Sequence, residues 1–357
     1  MKKLLTLLLT LCLLLTGCTF EYVPETEAEN SFTAFVPDTD GDTLSVHYID
    51  VGQADSILIK YGKYHMLIDG GNREDGQMLV SYLDRLGVED LDAMVCTHAH
   101  EDHVGGLPAV LAVYPTAAVY APTKTYSSKI FDDFLYYADQ QGREITIPAP
   151  GDTFFLGDAQ VTVVGPVKSY AEPNNTSIVV RLDFGTTSFL FTGDMEVAAE
   201  NDMLDYWEAR NSSDIVDVDV LKVGHHGSDS STGYRFLYEV NPTYGVISVG
   251  EGNTYGHPHA EPLSRLSDAG VTTFRTDEMG TVLAVTDGEE VTFTWENQSA
   301  DPDNAEPVDL QYIGNKNSKK FHAPTCANLP AEKNQVLFGS YDEATDAGFT
   351  PCGSCLG

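Results

Sequence analysis

Residues 45–51, Ser-Val-His-Tyr-Ile-Asp-Val, alternate between polar and apolar and predict a half-buried strand. Short apolar runs at 56–60 and 66–68 predict two more, the last ending in Asp69-Gly70-Gly71. The period then lengthens, and 75–86 reads as a helix. A four-residue apolar run at 93–96 is short enough for a buried strand, and 104–113 resumes as a helix. A strand and turn are expected over 114–124. A helix follows over 128–141, with Phe131, Phe134, Leu135 and Tyr136 on its apolar face. Further strands are expected at 152–156, 161–165, 178–184, 188–192, 216–223 and 244–249. Helices are expected at 195–211 and 261–269, the closing strands of the second sheet within 271–296, and Ser228 and Ser231 as candidate helix caps.

Between the strand at 93–96 and the helix at 104–113 lie His98, His100, Asp102 and His103. Three imidazoles and a carboxylate at a strand end are costly to bury unless a cation collects them. In extended chain, residues two apart point the same way, so His98 and His100 can share one ion. Asp102 and His103 lie past the bend and can face a second. Imidazole and carboxylate are donors suited to zinc, manganese or iron.

Composition adds compartment and charge. The 357 residues suffice for one large domain and one small one. Lys and Arg total 20 against 54 acidic residues, a net charge of −34, which repels polyanions unless cations offset it locally. Lys2-Lys3 followed by the apolar run 4–15 reads as a targeting segment over 1–17, too short for a comfortable membrane span. Residues 18–42 read as an acidic flexible tether. Cys96 falls in the buried strand as an inert thiol. The cysteines leave no even set for a disulfide framework.

The H-x-H-x-D-H pattern resembles the metallo-β-lactamase-fold hydrolases. The segments Asp-Val-Gly-Gln-Ala-Asp (50–55) and Leu-Ile-Asp-Gly-Gly (67–71) are similar to the extracellular domain of the competence protein ComEC and its stand-alone relatives. This resemblance implies an α/β fold, an αββα sandwich, over 43–296, with two sheets face to face beneath outer helices. It implies that Asp69 orients ligands, and that Asp194, after the apolar strand 188–192, bridges two metals where β-lactamases carry Cys. The usual third-motif histidine is missing, since none occurs between His103 and His225. ComEC-like relatives carry Asn-Asn-x-Ser there, as this chain does at 174–177, so either Asn175 or Ser177 contributes an oxygen or water fills the gap, with both residues candidates to support the ligands or contact substrate. Gly-His-His-Gly-Ser (224–228) matches the motif that supplies the last imidazole. Read as extended chain, His225 and His226 point oppositely, leaving one ligand, with His226 taken first. His257, in Asn-x-Tyr-Gly-His-Pro, is the candidate that donates to a phosphoryl oxygen or protonates a leaving group. His259 reads as a surface residue. Leu15-Thr16-Gly17-Cys18 resembles a lipobox, implying acylation of Cys18 and a bacterial lipoprotein on the extracytoplasmic face of the cell membrane.

Residues 297–309 form a polar, acidic linker. Beyond it, over 310–357, His322-x3-Cys326 and Cys352-x2-Cys355 have the spacing of a closed structural zinc site. So short a module needs the metal to fold. It is similar to the Ada-type metal-binding module, with His322 where the DNA-repair version has Cys. The resulting expectation is a lipid-anchored hydrolase with two divalent cations, zinc or manganese. His98, His100, Asp102, His103, Asp194 and one of the 225–226 pair would hold them, and Asp102, Asp194 and His257 would serve the chemistry. The substrate class implied is a phosphodiester, most simply DNA, and no protein partner is inferred. The alternatives are a non-catalytic metal- or nucleic-acid-binding lipoprotein and a hydrolase of another ester, such as a cell-wall phosphate ester or a lactone.

Overall fold

The computed structural model describes residues 42–303, 312–323, 326, 328–339 and 341–356. The targeting segment, Cys18, all but the last residue of the tether and the second part of the linker, 304–309, lie outside the described residues.

Two sheets form the body. The first has eight strands in the order Val291–Trp295, Val282–Thr286, Leu44–Tyr48, Ile57–Tyr61, Tyr64–Ile68, Leu91–Val95, Thr116–Tyr120, Ile145–Thr146. The second has seven: Thr272–Arg275, Tyr244–Ile247, Val220–Lys222, Thr187–Phe191, Val179–Phe184, Ala159–Gly165, Thr153–Leu156. Alternation along each strand divides its side chains between two layers. Val46, Tyr48, Ile57, Ile59, Met66 and Ile68 from one sheet meet Phe189, Phe191, Val220 and Val246 from the other in a shared core. Leu190 and Leu221, one residue out of phase, instead pack outward with Met203, Leu204, Trp207, Phe236 and Leu237 of the helices Val197–Glu208 and Tyr234–Val240. This is the αββα sandwich.

Strand direction places the functional edge. Tyr64–Ile68 and Leu91–Val95 run parallel, as do Thr187–Phe191, Val220–Lys222 and Tyr244–Ile247. Parallel neighbours in a sheet deliver the loops that follow them to one edge. Asp69, the 97–103 segment, Asp194, the 225–226 pair and Ser248 all follow such strands.

Four expectations are corrected. Of the strands expected to close the second sheet, only Thr272–Arg275 joins it; Val282–Thr286 pairs antiparallel with Leu44–Tyr48 and carries Val291–Trp295 with it into the first. Helix Lys129–Gln140 buries Ile130, Phe131, Phe134 and Ala138, while Tyr136 is 56% exposed. Two residues past Phe134 is about 200° around a helix, so Tyr136 cannot share its face. The strand expected over 216–223 pairs only at Val220–Lys222. Arg181 Nη1 gathers the carbonyls of Asp214, Ile215 and Asp217, which coils Ser213–Val216 into a 3-10 turn. Neither Ser228 nor Ser231 caps helix Tyr234–Val240, whose N-cap is Gly233. The buried Glu200 carboxylate accepts from the amides of Thr232 and Gly233, and Ser231 Oγ instead donates to Gly224 O at 2.8 Å.

The chain beyond the sandwich forms a four-stranded sheet, Gln335–Phe338, Tyr312–Asn315, Lys320–His322, Thr350–Pro351. Its small core holds Phe321, Phe338, Phe349 and Leu356.

Candidate metal centre

Asp69 ends its strand with φ 57°, a left-handed conformation that Asp tolerates better than most side chains. The turn aims its carboxylate across the loop. Oδ1 accepts from Thr97 N at 2.8 Å, and Oδ2 accepts from Thr97 Oγ1 at 2.7 Å and lies 2.8 Å from His103 Nδ1. Its backbone continues the clamp: Gly70 N donates to His103 O, and Gly106 N to Gly70 O. A Cβ on Gly106 would collide with Gly70 O, so this approach of two loops requires glycine. Asp69 thus orients the His103 ring and leaves Nε2 free.

That nitrogen faces Asp194. His103 Nε2 lies 3.2 Å and His226 Nε2 3.5 Å from Asp194 Oδ1. Asp102 Oδ2 lies 3.5 Å from His226 Nε2 and 3.9 Å from His103 Nε2. On the other side, His98 Nε2 and His225 Nε2 stand 3.7 and 3.8 Å from Asp194 Oδ2. His98 Nε2 also lies 3.1 Å from His100 Nδ1. The structure therefore brings His98, His100, Asp102, His103, Asp194, His225 and His226 to one place. His103 Nε2, His226 Nε2 and Asp194 Oδ1 are buried and have no hydrogen-bond partner. Buried polar atoms are normally paired. Donor atoms of Asp102, His103, Asp194 and His226 all lie within 4.8 Å of one another. These residues fit a divalent cation: nitrogen and oxygen donors, convergent and otherwise unsatisfied, suit zinc or manganese.

The electrostatics point the same way. Burial opposes ionisation of Asp194, yet His103 and His226 hold it well below the usual carboxylate range. Burial likewise works against a charged His226, but Asp194 and Asp55 push it up to about 10. Burial opposes Asp102 too, and His103 with His226 brings it down to about 2. His98 is pushed well below its ordinary value by burial and by the charge on His103. The cluster is a sink for positive charge.

Adjacent histidines reach one centre because the extended-chain expectation fails at 225–226. His225 (φ 49°, ψ 45°) and His226 (φ 53°, ψ 26°) are both left-handed, and this tight turn puts both rings on the same side. His226 is anchored through Nδ1, 2.9 Å from Ser248 O and 3.3 Å from Asp55 Oδ1. Asp55 is in turn 2.9 Å from the fully buried Lys222 Nζ. Burial opposes the Asp55 charge, but Lys222 and His226 depress its pKa. Sequence reasoning missed this pair, although one Lys inside the apolar run Val220-Leu221-Lys222-Val223 is a signal, since a buried ammonium needs a partner.

The Asn-Asn-x-Ser segment frames the site. Ser177 Oγ accepts from Asp194 N at 3.1 Å and lies 3.4 Å from His98 Nδ1. Asn175 is taken up by Glu196, accepting from its backbone N and donating to its Oε2. Asn174, not singled out from sequence, comes closer, with Nδ2 3.3 Å from His225 Nε2. His257 stands on the cleft wall. Gln53 Oε1 accepts from Gly250 N, so its amide Nε2 is the donor toward His257 Nδ1 at 3.2 Å. That leaves the His257 proton on Nε2. Burial, followed by the charges on His226 and His225, lowers its pKa to about 4, so at neutral pH it is an uncharged donor. His259 is partly exposed and accepts from Asp229 N through Nδ1. Buried Cys96 has its pKa raised well above the usual thiol value by burial.

The cleft has a volume of about 1070 Å³, and Asp50, Glu74, Asp75, Glu101 and Glu251 lie around it. Among the described residues that line it there is no Lys or Arg. In the small sheet, donor atoms of His322, Cys326, Cys352 and Cys355 lie within 4.8 Å of one another, a second group able to hold a metal.

An αββα sandwich with an imidazole and carboxylate cluster at its open edge defines a metal-dependent hydrolase fold. The sequence matches the Metallo-beta-lactamase superfamily over residues 49–251, and the chain belongs to it. Residues 302–356 match the metal binding domain of Ada. The chain is 31% identical over 256 residues to ComE operon protein 3 of Bacillus subtilis, covering 66% of this chain and 32% of that protein. It is 30% identical over 232 residues to competence protein ComA of Neisseria gonorrhoeae, covering 65% and 30%. It is also 30% identical over 232 residues to Recombination protein 2 of Haemophilus influenzae, covering 63% and 26%. The chain thus spans about a third or less of the length of these relatives.

Proposed function

We propose that this chain is a lipid-anchored, extracytoplasmic phosphodiesterase with a two-cation centre. The carrying observation is Asp194: a carboxylate with imidazoles on both oxygens, at the position where the β-lactamase branch has Cys. Names that speak of competence and recombination among the relatives support a phosphodiester substrate. Two divalent cations held by His98, His100, Asp102, His103, Asp194 and the 225–226 pair would lower the pKa of a bound water toward neutrality and offset charge at phosphorus. The chain's own residues do the rest. Asp69, Ser248 and Ser177 fix ring orientations. His257, held by Gln53, presents an Nε2 proton to a phosphoryl oxygen. The carboxylate rim favours a small phosphodiester or a strand end over a duplex, whose dense charge it repels. The four donors of the C-terminal cluster are read as a closed structural zinc site.

The test compares wild type with His100→Ala on bis(p-nitrophenyl) phosphate, a single-stranded oligonucleotide and duplex DNA, with Mn2+ or Zn2+. Metal-dependent turnover in wild type, reduced by about 100-fold or more in the variant, is the expected outcome. Equal rates in both proteins reject the enzyme.

A further inference from the structure

Asp194 divides the cluster in two. Its Oδ1 is shared by His103 and His226, with Asp102 beside His226, and that half has a full set of donors. Its Oδ2 faces His98 and His225. This second half, to which His100 also belongs through His98, is the one left short by the missing third-motif histidine.

His225 is wired as a ligand. Its Nδ1 lies 3.1 Å from Ser230 Oγ, and Ser230 Oγ donates to Glu196 Oε1 at 3.1 Å. The hydroxyl proton is thereby committed to Glu196, so His225 must carry its own proton on Nδ1 and leave a lone pair on Nε2. His103, with Nδ1 on Asp69, and His226, with Nδ1 on Ser248 O, are anchored the same way. A carboxylate or carbonyl behind an imidazole is the usual brace of a metal-binding histidine. Glu196 is itself gripped by Asn175 through both its backbone N and its Oε2. Asn174 sets its amide beside His225 Nε2 at 3.3 Å, and its Oδ1 is buried without a partner. The Asn174-Asn175-x-Ser177 segment therefore encloses the spot where an imidazole is missing, and His225 points into it.

We propose that His225 Nε2 is the metal ligand that replaces the absent third-motif histidine, completing the cation position on the Oδ2 side of Asp194 with His98 and His100. The left-handed turn at 225–226 lets one dipeptide serve both positions, His226 on one side of Asp194 and His225 on the other. Glu196 and Asn175 are positioning residues for His225.

This inference rests on the two-cation reading above, and its test separates the two. The full chain, with its active-site metal stripped, is titrated with Mn2+. Bound ions are counted by equilibrium dialysis, and the spin state is read by electron paramagnetic resonance. Wild type is expected to bind two Mn2+ ions with an exchange-coupled spectrum. His225→Ala and His225→Gln are expected to bind one, with an uncoupled six-line spectrum and the second affinity weakened on the order of 100-fold. Asn174→Ala is expected to keep both ions. If wild type binds fewer than two ions, the centre itself fails. If both His225 variants retain two coupled ions, or if Asn174→Ala rather than His225→Ala loses one, the assignment of His225 is overturned. Thermal unfolding of each stripped variant shows that the loss is not one of folding.

Discussion

Lys222 is fully buried in a strand of the second sheet, with its ammonium 2.9 Å from Asp55 Oδ2 and donating to Val223 O. Lys222→Met keeps the aliphatic volume and removes the charge. Asp55 then remains 1% exposed, with His226 Nδ1 3.3 Å from Oδ1 and nothing for Oδ2. Breaking a buried pair by removing one member costs about 3–5 kcal/mol, because the other charge stays desolvated. For a domain of this size each kcal/mol moves Tm by about 2–4 °C, so the expected fall is roughly 6–20 °C. Trp207, buried and donating to Val164 O, and Trp295, in the edge strand of the first sheet, report unfolding of the sandwich by fluorescence. Urea titration at pH 7 of the chelator-treated chain gives the free energy directly. The double variant Asp55→Asn, Lys222→Met should recover part of the loss, with a coupling of about 2 kcal/mol or more between the sites. Lys222→Met within about 1 kcal/mol of wild type, or strict additivity in the double variant, would refute the claim that this pair is a compensated charge.

Two further outcomes follow from groups away from the cleft. Burial raises the Glu200 carboxyl to about 7, despite the amides of Gly233 and Thr232 that favour its charge. The folded state then binds the proton where the unfolded chain, with its value near 4.5, has released it. Stability from this group should therefore fall between about pH 4.5 and 7, by on the order of 3 kcal/mol, and urea midpoints of Glu200→Gln should show a shallower decline. An unchanged slope in the variant contradicts this. Cys352→Ser should abolish zinc retention by the C-terminal cluster and unfold that small sheet, leaving the tryptophan transition of the sandwich in place. Zinc content equal to wild type would remove the cluster as a metal site.

The sandwich could be read from the chain because alternation is a local property: Ser45-Val46-His47-Tyr48 sorts its side chains without help from distant residues. The H-x-H-x-D-H stretch was equally plain, since its spacing is fixed within one loop. What escaped was set by tertiary contact. The doubly left-handed 225–226 turn has no signature in an alternation argument, which assumes extended chain. Asn174 and Asn175 are neighbours of one residue type, and only the fold turns one to His225 and the other to Glu196. The strand expected from Val216 was cut short by Arg181, a residue more than thirty positions earlier whose guanidinium collects three carbonyls.

The carboxylate-rich rim has a consequence for how occupancy and recognition are linked. Among the described residues that line the cleft there is no Lys or Arg to greet an anionic ester, so attraction must come from the imidazole cluster and whatever it holds. Under the proposed reading, ion uptake and ester uptake are thermodynamically reciprocal: each raises the affinity for the other by the same factor. A half-loaded molecule is then less a slow catalyst than one that turns its ester away at the door. Ambient divalent-ion concentration thereby sets how much of the population engages substrate at all.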